Sequence, residues 1–503
     1  MYSRCLKRVL DFCCALAVIA CFGGPVSVWG ANSPVTSANP YAAFSNGNAY
    51  LQQGIPLLLE YHNLTVGDQR QRFAYPLRNY GFRDVKPRFV SSTGIFQYGL
   101  NAKATAGVSA AYYEYDSATD KVLPGGFVGV SASGFLDSLD FDLNAALYVE
   151  HHNHENPPSV DRQETGWVLW DTEKSETINY KRFQGHLGFN YAWLRLELGR
   201  DALHWGPGIY NNLTLNRQAV PYGYVSADLV FGPLRVISFY GSLDIDSVGS
   251  KVHSDASRNL YGHRYELALG NATFGMSEIQ VIYNDNNAWQ LVPIYPLFIE
   301  KGNYTEHSNN GALAFDVNYR IMRLARIYSE FYIEDLDSPI ALVENKYVNT
   351  EWAWLAGVQL GHNISTKTHT VEIGSVFEYA RVDQRVYTHY APNEAQIAHA
   401  GYPLGNQLGP NSQSIDWSLY ARLDASLFVG FRNHWFWKGN SYGSDLNGYW
   451  EPSSNKYKEF LRGAKMDYSM TPMLAYSGNR WQCSGAVTLF AEKKGELNFS
   501  VSL

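Results

Sequence analysis

Cysteine is scarce in this sequence and unevenly placed. Of the five cysteines among 503 residues, only Cys483 lies beyond residue 30; the others are Cys5, Cys13, Cys14 and Cys21. A chain left with one cysteine can form neither an intramolecular disulfide nor a cysteine-based zinc site. Its stability must therefore come from a large core or a closed sheet, and the chain is long enough for either.

The first thirty residues predict a signal peptide. Basic residues within positions 4–8 precede an apolar run over 12–22 that is too short to span a membrane as a helix, and a small-residue cleavage site precedes Ala31. Residues 1–30 are therefore expected to be removed. A second interpretation stays open, in which the chain is a bacterial lipoprotein processed at Cys21. Under both interpretations the chain is exported from the cytoplasm.

Long apolar runs and a basic charge balance are also missing. Beyond residue 30 no uncharged apolar stretch reaches 18 residues, which excludes a helical membrane protein. Removing the signal takes three basic residues from 40 and one acidic residue from 47, so 37 minus 46 leaves a formal charge of −9. Such an acidic chain lacks the electrostatic footprint of a nucleic-acid-binding protein.

The dominant pattern from about residue 95 onward is a period of two. Apolar and mostly polar residues alternate over 139–150, 237–245, 313–321 and 415–423. Alternation of this kind predicts strands with one apolar and one polar face. A soluble sandwich would bury the apolar faces against each other, whereas a membrane barrel would turn them toward lipid.

Three features favour the barrel. The alternating segments are about nine or more residues long, which suits a tilted bilayer crossing. Aromatic residues cluster near predicted strand ends, as in "NYAWL", "EWAW" and "FRNHWFWKGN", which is typical of interfacial girdles. The last residues, "GELNFSVSL", alternate like the terminal strand that the barrel-insertion machinery recognises.

The predicted fold is therefore all-β: an outer-membrane β-barrel of about 16–18 antiparallel strands over residues 91–503. Residues 31–90 are expected to form a short, partly helical N-terminal segment at the periplasmic side or in the lumen, because "NAYLQQGIPLLLEYHNLT" (48–65) shows no strand alternation. Outer-membrane lipid is the expected surrounding of the strands.

Few residues form a pattern that predicts catalysis. The cluster His151–Glu155 follows a strand and precedes two prolines, so it predicts a solvated loop rather than a metal site. The stretch "GVSASGF" (129–135) lacks the spacing of a nucleophile elbow, and no phosphate loop is present. We therefore expect no enzyme, no cofactor and no metal.

The aromatic and polar inventory suits carbohydrate. The chain has 36 tyrosines and 13 tryptophans, whose ring faces can pack on sugar C–H groups while amides and carboxylates bond hydroxyls. A porin or substrate-specific channel would show the same composition, so both functions stay open.

The stretch "LGRDALHWGPGIYNNLTLN" (198–216) resembles a motif of the capsule assembly Wzi family. Further segments resemble that family in the same order, including "NNGALAFDVNYRI" (309–321), "IYSEFYIEDLD" (327–337) and "GYPLGNQLGPNSQS" (401–414). The resemblance implies an 18-stranded outer-membrane barrel with an N-terminal helical portion. It also implies a lectin-like protein, not an enzyme, that holds capsular or similar surface polysaccharide non-covalently to the cell.

The same stretch supplies the candidate binding residues. Arg200 and Asp201 are expected to bond sugar hydroxyls and Trp205 to stack on the sugar, with His204 beside them. The alternative is a rigid connection that packs its own aromatic residue. Gly206, Pro207 and Gly208, the structural motif, predict a turn where the strand leaves the membrane.

Overall fold

The computed structural model describes residues 98–113, 121–136, 138–151, 177–191, 193–243, 258–283, 291–292, 297, 309–321, 325–335, 350–365, 369–389, 395–423, 427–446, 457–477, 482–490 and 494–502. The predicted signal peptide (1–30), the predicted N-terminal segment (31–90) and most of the cluster His151–Glu155 lie outside these residues. Within them, no helix is long and apolar enough to cross a bilayer.

Within the described residues the alternating sequence forms twenty strands, of which two are a small hairpin in a loop. Their bounds are β1 Tyr98–Tyr113, β2 Lys121–Leu136, β3 Leu139–His151, β4 Thr177–Tyr191, β5 Leu194–Asp201, β6 Tyr222–Phe231, β7 Leu234–Leu243, β8 Arg258–Leu269, β9 Ala272–Tyr283, β10 Asn309–Ile321, β11 Ala325–Asp335, β12 Glu351–Ser365, β13 Thr370–Val382, β14 Ala398–His399, β15 Tyr402–Pro403, β16 Ser412–Leu423, β17 Leu427–Lys438, β18 Met466–Ser477, β19 Gln482–Phe490 and β20 Lys494–Ser502.

The remaining eighteen strands form one antiparallel sheet in which each strand pairs with its neighbours along the chain. The first and last strands also pair, with Thr105 opposite Ser502 and Tyr113 opposite Lys494. This pairing closes the sheet into a barrel, so the strands β1 and β20 leave no unpaired edge. The predicted all-β barrel of about 16–18 strands is confirmed.

The side chains of the barrel are arranged inside out compared with a soluble protein. On β5, Leu196 and Leu198 are 44% and 58% exposed, whereas Glu197 between them is 4% exposed. Because successive side chains on a strand point to opposite faces, apolar groups cover the outer wall and polar groups line the lumen. An apolar outer wall of this kind is adapted to lipid.

Ion pairs cover part of the lumenal wall. Arg195 bonds Asp140 at 2.6 Å and Glu197 at 2.7 Å, which links β3 to β5. Arg264 bonds Asp316 at 2.6 Å, which links β8 to β10. Opposite charges therefore meet over one intervening strand, where they compensate the desolvation that burial imposes on each.

The two ends of the barrel differ in loop length. One end carries tight turns such as 232–233 and 270–271, and the other carries the connection 202–221 and the longer gaps between β13 and β16 and between β17 and β18. In outer-membrane barrels the short turns face the periplasm and the long loops face outward. By this rule the end with short turns faces the periplasm and the end with long connections faces the cell exterior.

Aromatic side chains form the predicted girdles on the outer wall. Tyr191 and Trp193 are exposed beside a short turn, where Trp193 stacks on Phe231 with 5.8 Å between ring centroids. Toward the long-loop end, Trp354 is exposed and packs near Tyr379, with 5.9 Å between centroids. Rings at both levels match the two interfaces of a bilayer.

Candidate functional site

The connection between β5 and β6, residues 202–221, folds into the barrel, and we name it the lumenal loop. All of its residues except Gly206 and Arg217 are buried. A buried loop must find hydrogen-bond partners for its backbone, because an unpaired buried N–H or C=O costs free energy. The barrel wall supplies these partners.

Glu378 on β13 binds the middle of the lumenal loop. Its carboxylate accepts the backbone N–H groups of Ile209 at 2.7 Å, Tyr210 at 3.1 Å and Asn211 at 2.7 Å. It also accepts the hydroxyl of Tyr328 at 2.7 Å. Three successive N–H groups around one carboxylate form an anion-binding concavity that the barrel fills with its own side chain.

Glu330 on β11 binds the next part of the loop in the same way. Its carboxylate accepts the backbone N–H groups of Leu213 and Thr214, both at 2.9 Å, and the Thr214 hydroxyl at 2.6 Å. The two glutamates therefore satisfy five backbone donors of the loop.

The lumenal loop reaches the opposite wall of the barrel. The Tyr210 hydroxyl donates to Ser418 Oγ at 2.6 Å, and the Arg432 guanidinium carbon lies 4.1 Å from the centroid of the Tyr210 ring. Ser418 lies on β16, which is nine strands from β5 in either direction around the ring of eighteen. The loop therefore crosses the full width of the lumen.

Two of the four predicted binding residues lie inside this loop. Trp205 is 1% exposed and packs edge-on against Phe239, with 5.0 Å between ring centroids. His204 is buried beside Asn212, whose side-chain nitrogen lies 3.1 Å from Nδ1 of the imidazole. Burial, with nearby arginines, holds the pKa of His204 well below its ordinary value. Neither ring has a face open to a ligand in this conformation.

The other two predicted residues lie at the end of β5. Arg200 and Asp201 are half-buried, and Asp201 Oδ1 accepts the Gln184 side-chain N–H at 2.9 Å and the backbone N–H of Ala202 at 2.8 Å. The structure therefore does not bring the four residues together as one exposed site, and their role in sugar binding stays a prediction.

The glycines of the turn set the path of the lumenal loop. Gly206 has a φ of +120°, and a Cβ built on it would lie 2.6 Å from Glu330 Oε2. A Cβ on Gly208 would lie 1.8 Å from the carbonyl oxygen of Asn211. Between them, the Pro207 carbonyl accepts from Arg326 at 2.5 Å. The turn that was expected to leave the membrane instead directs the chain back into the lumen.

A second long connection packs over the lumenal loop. The Tyr387 hydroxyl donates to the Leu213 carbonyl at 2.7 Å, and the backbone N–H of Asn216 donates to the Leu404 carbonyl at 2.8 Å. We call the described residues of 383–411 and 439–465 the outer cap.

The outer surface of the cap carries a polar and aromatic cluster, which we name the outer patch: Asn440, Tyr457, Glu459 and Arg462. Tyr457 is 68% exposed and the Arg462 side chain 69% exposed. Arg462 forms an ion pair with Glu459, and the Asn440 backbone N–H donates to the Arg462 carbonyl at 3.3 Å. Asn440 lies in a different part of the sequence from Tyr457, Glu459 and Arg462. Strand periodicity therefore could not predict that these four residues meet.

The cap fixes the backbone of the outer patch. The backbone N–H of Glu459 donates to Gln384 Oε1 at 2.6 Å, and that of Leu461 donates to Asn411 Oδ1 at 2.8 Å. Among the described residues, no group of three or more His, Cys, Asp or Glu side chains could hold a metal ion. The patch therefore offers preformed hydrogen-bonding groups and an aromatic face at the outer end of the barrel.

An 18-stranded barrel with an apolar outer wall and a polar, loop-filled lumen defines the class of outer-membrane β-barrels. A model of the family described as capsule assembly protein Wzi matches residues 92–434, which is more than half of the chain. The chain therefore belongs to the Wzi capsule assembly family and to the outer membrane.

One solved structure shows the same fold, and others are more weakly similar. The chain is similar to Wzi of Escherichia coli, described as an outer-membrane protein involved in group 1 capsule assembly and a carbohydrate-binding β-barrel, with 12% identity, a TM-score of 0.53 and coverage of 80% of this chain and 84% of that one. It is more weakly similar to opdK from Pseudomonas aeruginosa (11% identity, TM-score 0.40, coverage 80% and 99%) and to a BenF-like porin from Pseudomonas fluorescens (8%, 0.43, 80% and 98%). A search of curated proteins gave no match.

Proposed function

We propose that this protein binds surface polysaccharide, capsular or similar, non-covalently and helps to hold it at the cell surface. The observation that carries the proposal is the outer patch, which lies on a cap fixed over an occupied lumen. Family membership supports the same function, since the Escherichia coli Wzi protein is described as carbohydrate-binding. The proposal assigns the protein no catalytic step.

The chemistry of the outer patch suits a sugar chain. The exposed ring of Tyr457 offers a face for sugar C–H groups, and the Asn440 amide offers a planar donor and acceptor. The ion pair of Glu459 and Arg462 offers an acceptor and donors beside each other for neighbouring hydroxyls. Because the cap already fixes the backbone, little conformational entropy is lost when a ligand binds.

A porin is the alternative function. The lumenal loop argues against a wide channel, because it crosses the barrel and its backbone is bonded to Glu330 and Glu378. Large, frequent conductance steps of purified protein in planar bilayers would favour the porin. Small or no conductance is expected for the binding protein.

The other proposed partners follow from the outer wall and the last strand. Exposed side chains such as Leu198, Phe377 and Leu474 face outward, and we propose that outer-membrane lipid covers them. We also propose that the barrel-insertion machinery recognises the segment of β20, which pairs with β1.

The deciding experiment compares cells lacking the protein with cells that express variants of it. We expect the deletion to release surface glycan into the medium, and the unaltered chain to restore its retention. The double variant Tyr457→Ala/Arg462→Gln should insert normally but fail to restore retention. Lys465→Gln, which removes an exposed charge near the patch, is the matched control and should behave like the unaltered chain.

A binding measurement completes the test. Purified surface glycan from the same cells should bind the double variant about tenfold or more weakly, as expected when central contacts of an interface are truncated. Unchanged glycan retention in the deletion strain would overturn the proposed function. Normal binding by the double variant would overturn the assignment to the outer patch.

A further inference from the structure

A cation held between aromatic rings lies on the outer wall of the barrel at its long-loop end. Arg381 is the penultimate residue of β13, and its neighbours Ala380 and Val382 are buried toward the lumen. Alternation along the strand therefore turns Arg381 outward, as it turns Trp352 outward on β12. We name Trp352, Arg381, Asp383, Lys458 and Phe460 the rim cluster.

Two rings fix the guanidinium of Arg381. Its central carbon lies 3.8 Å from the ring centroid of Phe460 and 4.9 Å from that of Trp352. Cations over aromatic faces at these distances are attracted by the ring quadrupole. The two contacts come from different parts of the chain, so the guanidinium is positioned before any ligand arrives.

The rim cluster keeps an excess positive charge. Asp383 accepts from Arg381 Nε at 3.1 Å and Nη2 at 2.8 Å, and it also pairs with Lys458. Within the rim cluster one carboxylate faces two cations, and the nearby carboxylate of Glu351 is paired with Arg385, which leaves a net charge of +1. Among the described residues Nη1 of Arg381 has no hydrogen-bond partner, and 25% of this side chain is exposed, whereas Lys458 and Asp383 are buried.

The height of the cluster matches the lipid head groups. Trp354 and Tyr379, which face outward one step further into the membrane, belong to the aromatic girdle of the long-loop end. Girdle residues sit at the interface between head groups and hydrocarbon. Arg381, nearer the end of β13, therefore lies beside the head groups of the outer leaflet.

We propose that the rim cluster binds a phosphate on the head group of an outer-leaflet glycolipid. Arg381 donates to the phosphate, a geometry for which the guanidinium fork is suited. Trp352 and Phe460 position the guanidinium, and Lys458 adds positive charge without direct contact. The rim cluster shares the segment 457–462 with the outer patch but uses different side chains, and the proposal does not depend on polysaccharide binding.

The test uses the full chain in detergent micelles and measures binding of diphosphoryl lipid A by native mass spectrometry. Dephosphorylated lipid A and inorganic phosphate are separate probes. The unaltered protein should bind the diphosphoryl lipid at least tenfold more tightly than either. Arg381→Gln should abolish most of this preference, and Lys458→Gln should reduce it two- to threefold. Lys465→Gln removes a charge from the same end of the barrel and should leave the preference unchanged.

Folding is checked in the same samples, by circular dichroism and by the thermal midpoint. If Arg381→Gln misfolds, the preference of the unaltered protein for phosphorylated over dephosphorylated lipid decides the proposal. Equal binding of the two lipids overturns it. Binding of inorganic phosphate as tightly as lipid overturns the assignment to a lipid. An equal loss with Lys465→Gln shows diffuse charge attraction and also overturns the site.

Discussion

The carboxylate of Glu378 accepts both the backbone N–H of Asn211, at 2.7 Å, and the side-chain amide of the same residue, at 3.0 Å. The two residues are 167 positions apart in the sequence. This contact joins the lumenal loop to a strand far around the barrel, so it ties the conformation of the loop to closure of the sheet.

The variant Glu378→Gln should loosen the lumenal loop. The amide keeps the size of the carboxylate but loses its charge, and each charge-assisted hydrogen bond contributes about 1.5–3 kcal/mol. We expect larger and more frequent conductance steps in planar bilayers than for the unaltered protein. Glu372→Gln on the same strand is the control, because Glu372 pairs with Arg422. If neither variant shows more conductance than the unaltered protein, Glu378 does not hold the loop in the lumen.

The variant Gly208→Ala should displace the same loop for a steric reason. Its Cβ would lie 1.8 Å from the Asn211 carbonyl oxygen, so the backbone must shift. We expect trypsin to cleave at Arg217 in the variant at a concentration that leaves the unaltered protein intact. Gly223→Ala, where a Cβ meets nothing within 4 Å, should remain resistant. If trypsin leaves both variants intact, the turn tolerates a side chain at position 208.

Trp205 distinguishes packing from sugar stacking. Trp205→Ala should destabilise the loop by about 3–5 kcal/mol, the usual cost of removing a buried large aromatic side chain. Trp205→Phe should preserve the edge-on contact with Phe239 and glycan retention. The measurements are trypsin resistance and glycan retention of the same strains. Loss of retention by Trp205→Phe with a protected loop would instead establish a direct sugar contact.

Two buried histidines predict sensitivity to acid. Burial beside Arg258 and Arg200 lowers the pKa of His399 to about 3, and His204 is shifted in the same direction. Between pH 6.5 and about 3 only the unfolded chain takes up the His399 proton, and His204 acts in the same direction, so the free energy of unfolding is constant above about pH 7 and falls as the pH drops through 6.5. The loss is about 1.4 kcal/mol for His399 at pH 5.5.

Denaturant unfolding in micelles at pH 7.5 and pH 5.5 measures this effect. His399→Phe should reduce the difference between the two pH values, whereas His362→Gln, at an exposed position of β12, should leave it unchanged. A difference that is the same in all three proteins would assign the acid sensitivity to other groups.

The barrel could be predicted from the sequence because strand alternation is local. Leu196, Glu197 and Leu198 already show which residues face lipid and which face the lumen, without knowledge of the partner strand. The candidate site could not be predicted in the same way. His204 and Trp205 look like exposed binding residues in a loop, and only the folded chain places them inside the barrel.

The sequence by itself determined the class of protein: export, an all-β barrel with aromatic girdles, and the family carried by the stretch around Gly206, Pro207 and Gly208. Tertiary structure decided where that stretch lies. Residues such as Ile209 and Glu378 are 169 positions apart, and no local pattern encodes a hydrogen bond that exists only after eighteen strands have closed into a ring. The same closure decided that the lumenal loop fills the lumen and that the residues of the outer patch lie together on the outer cap.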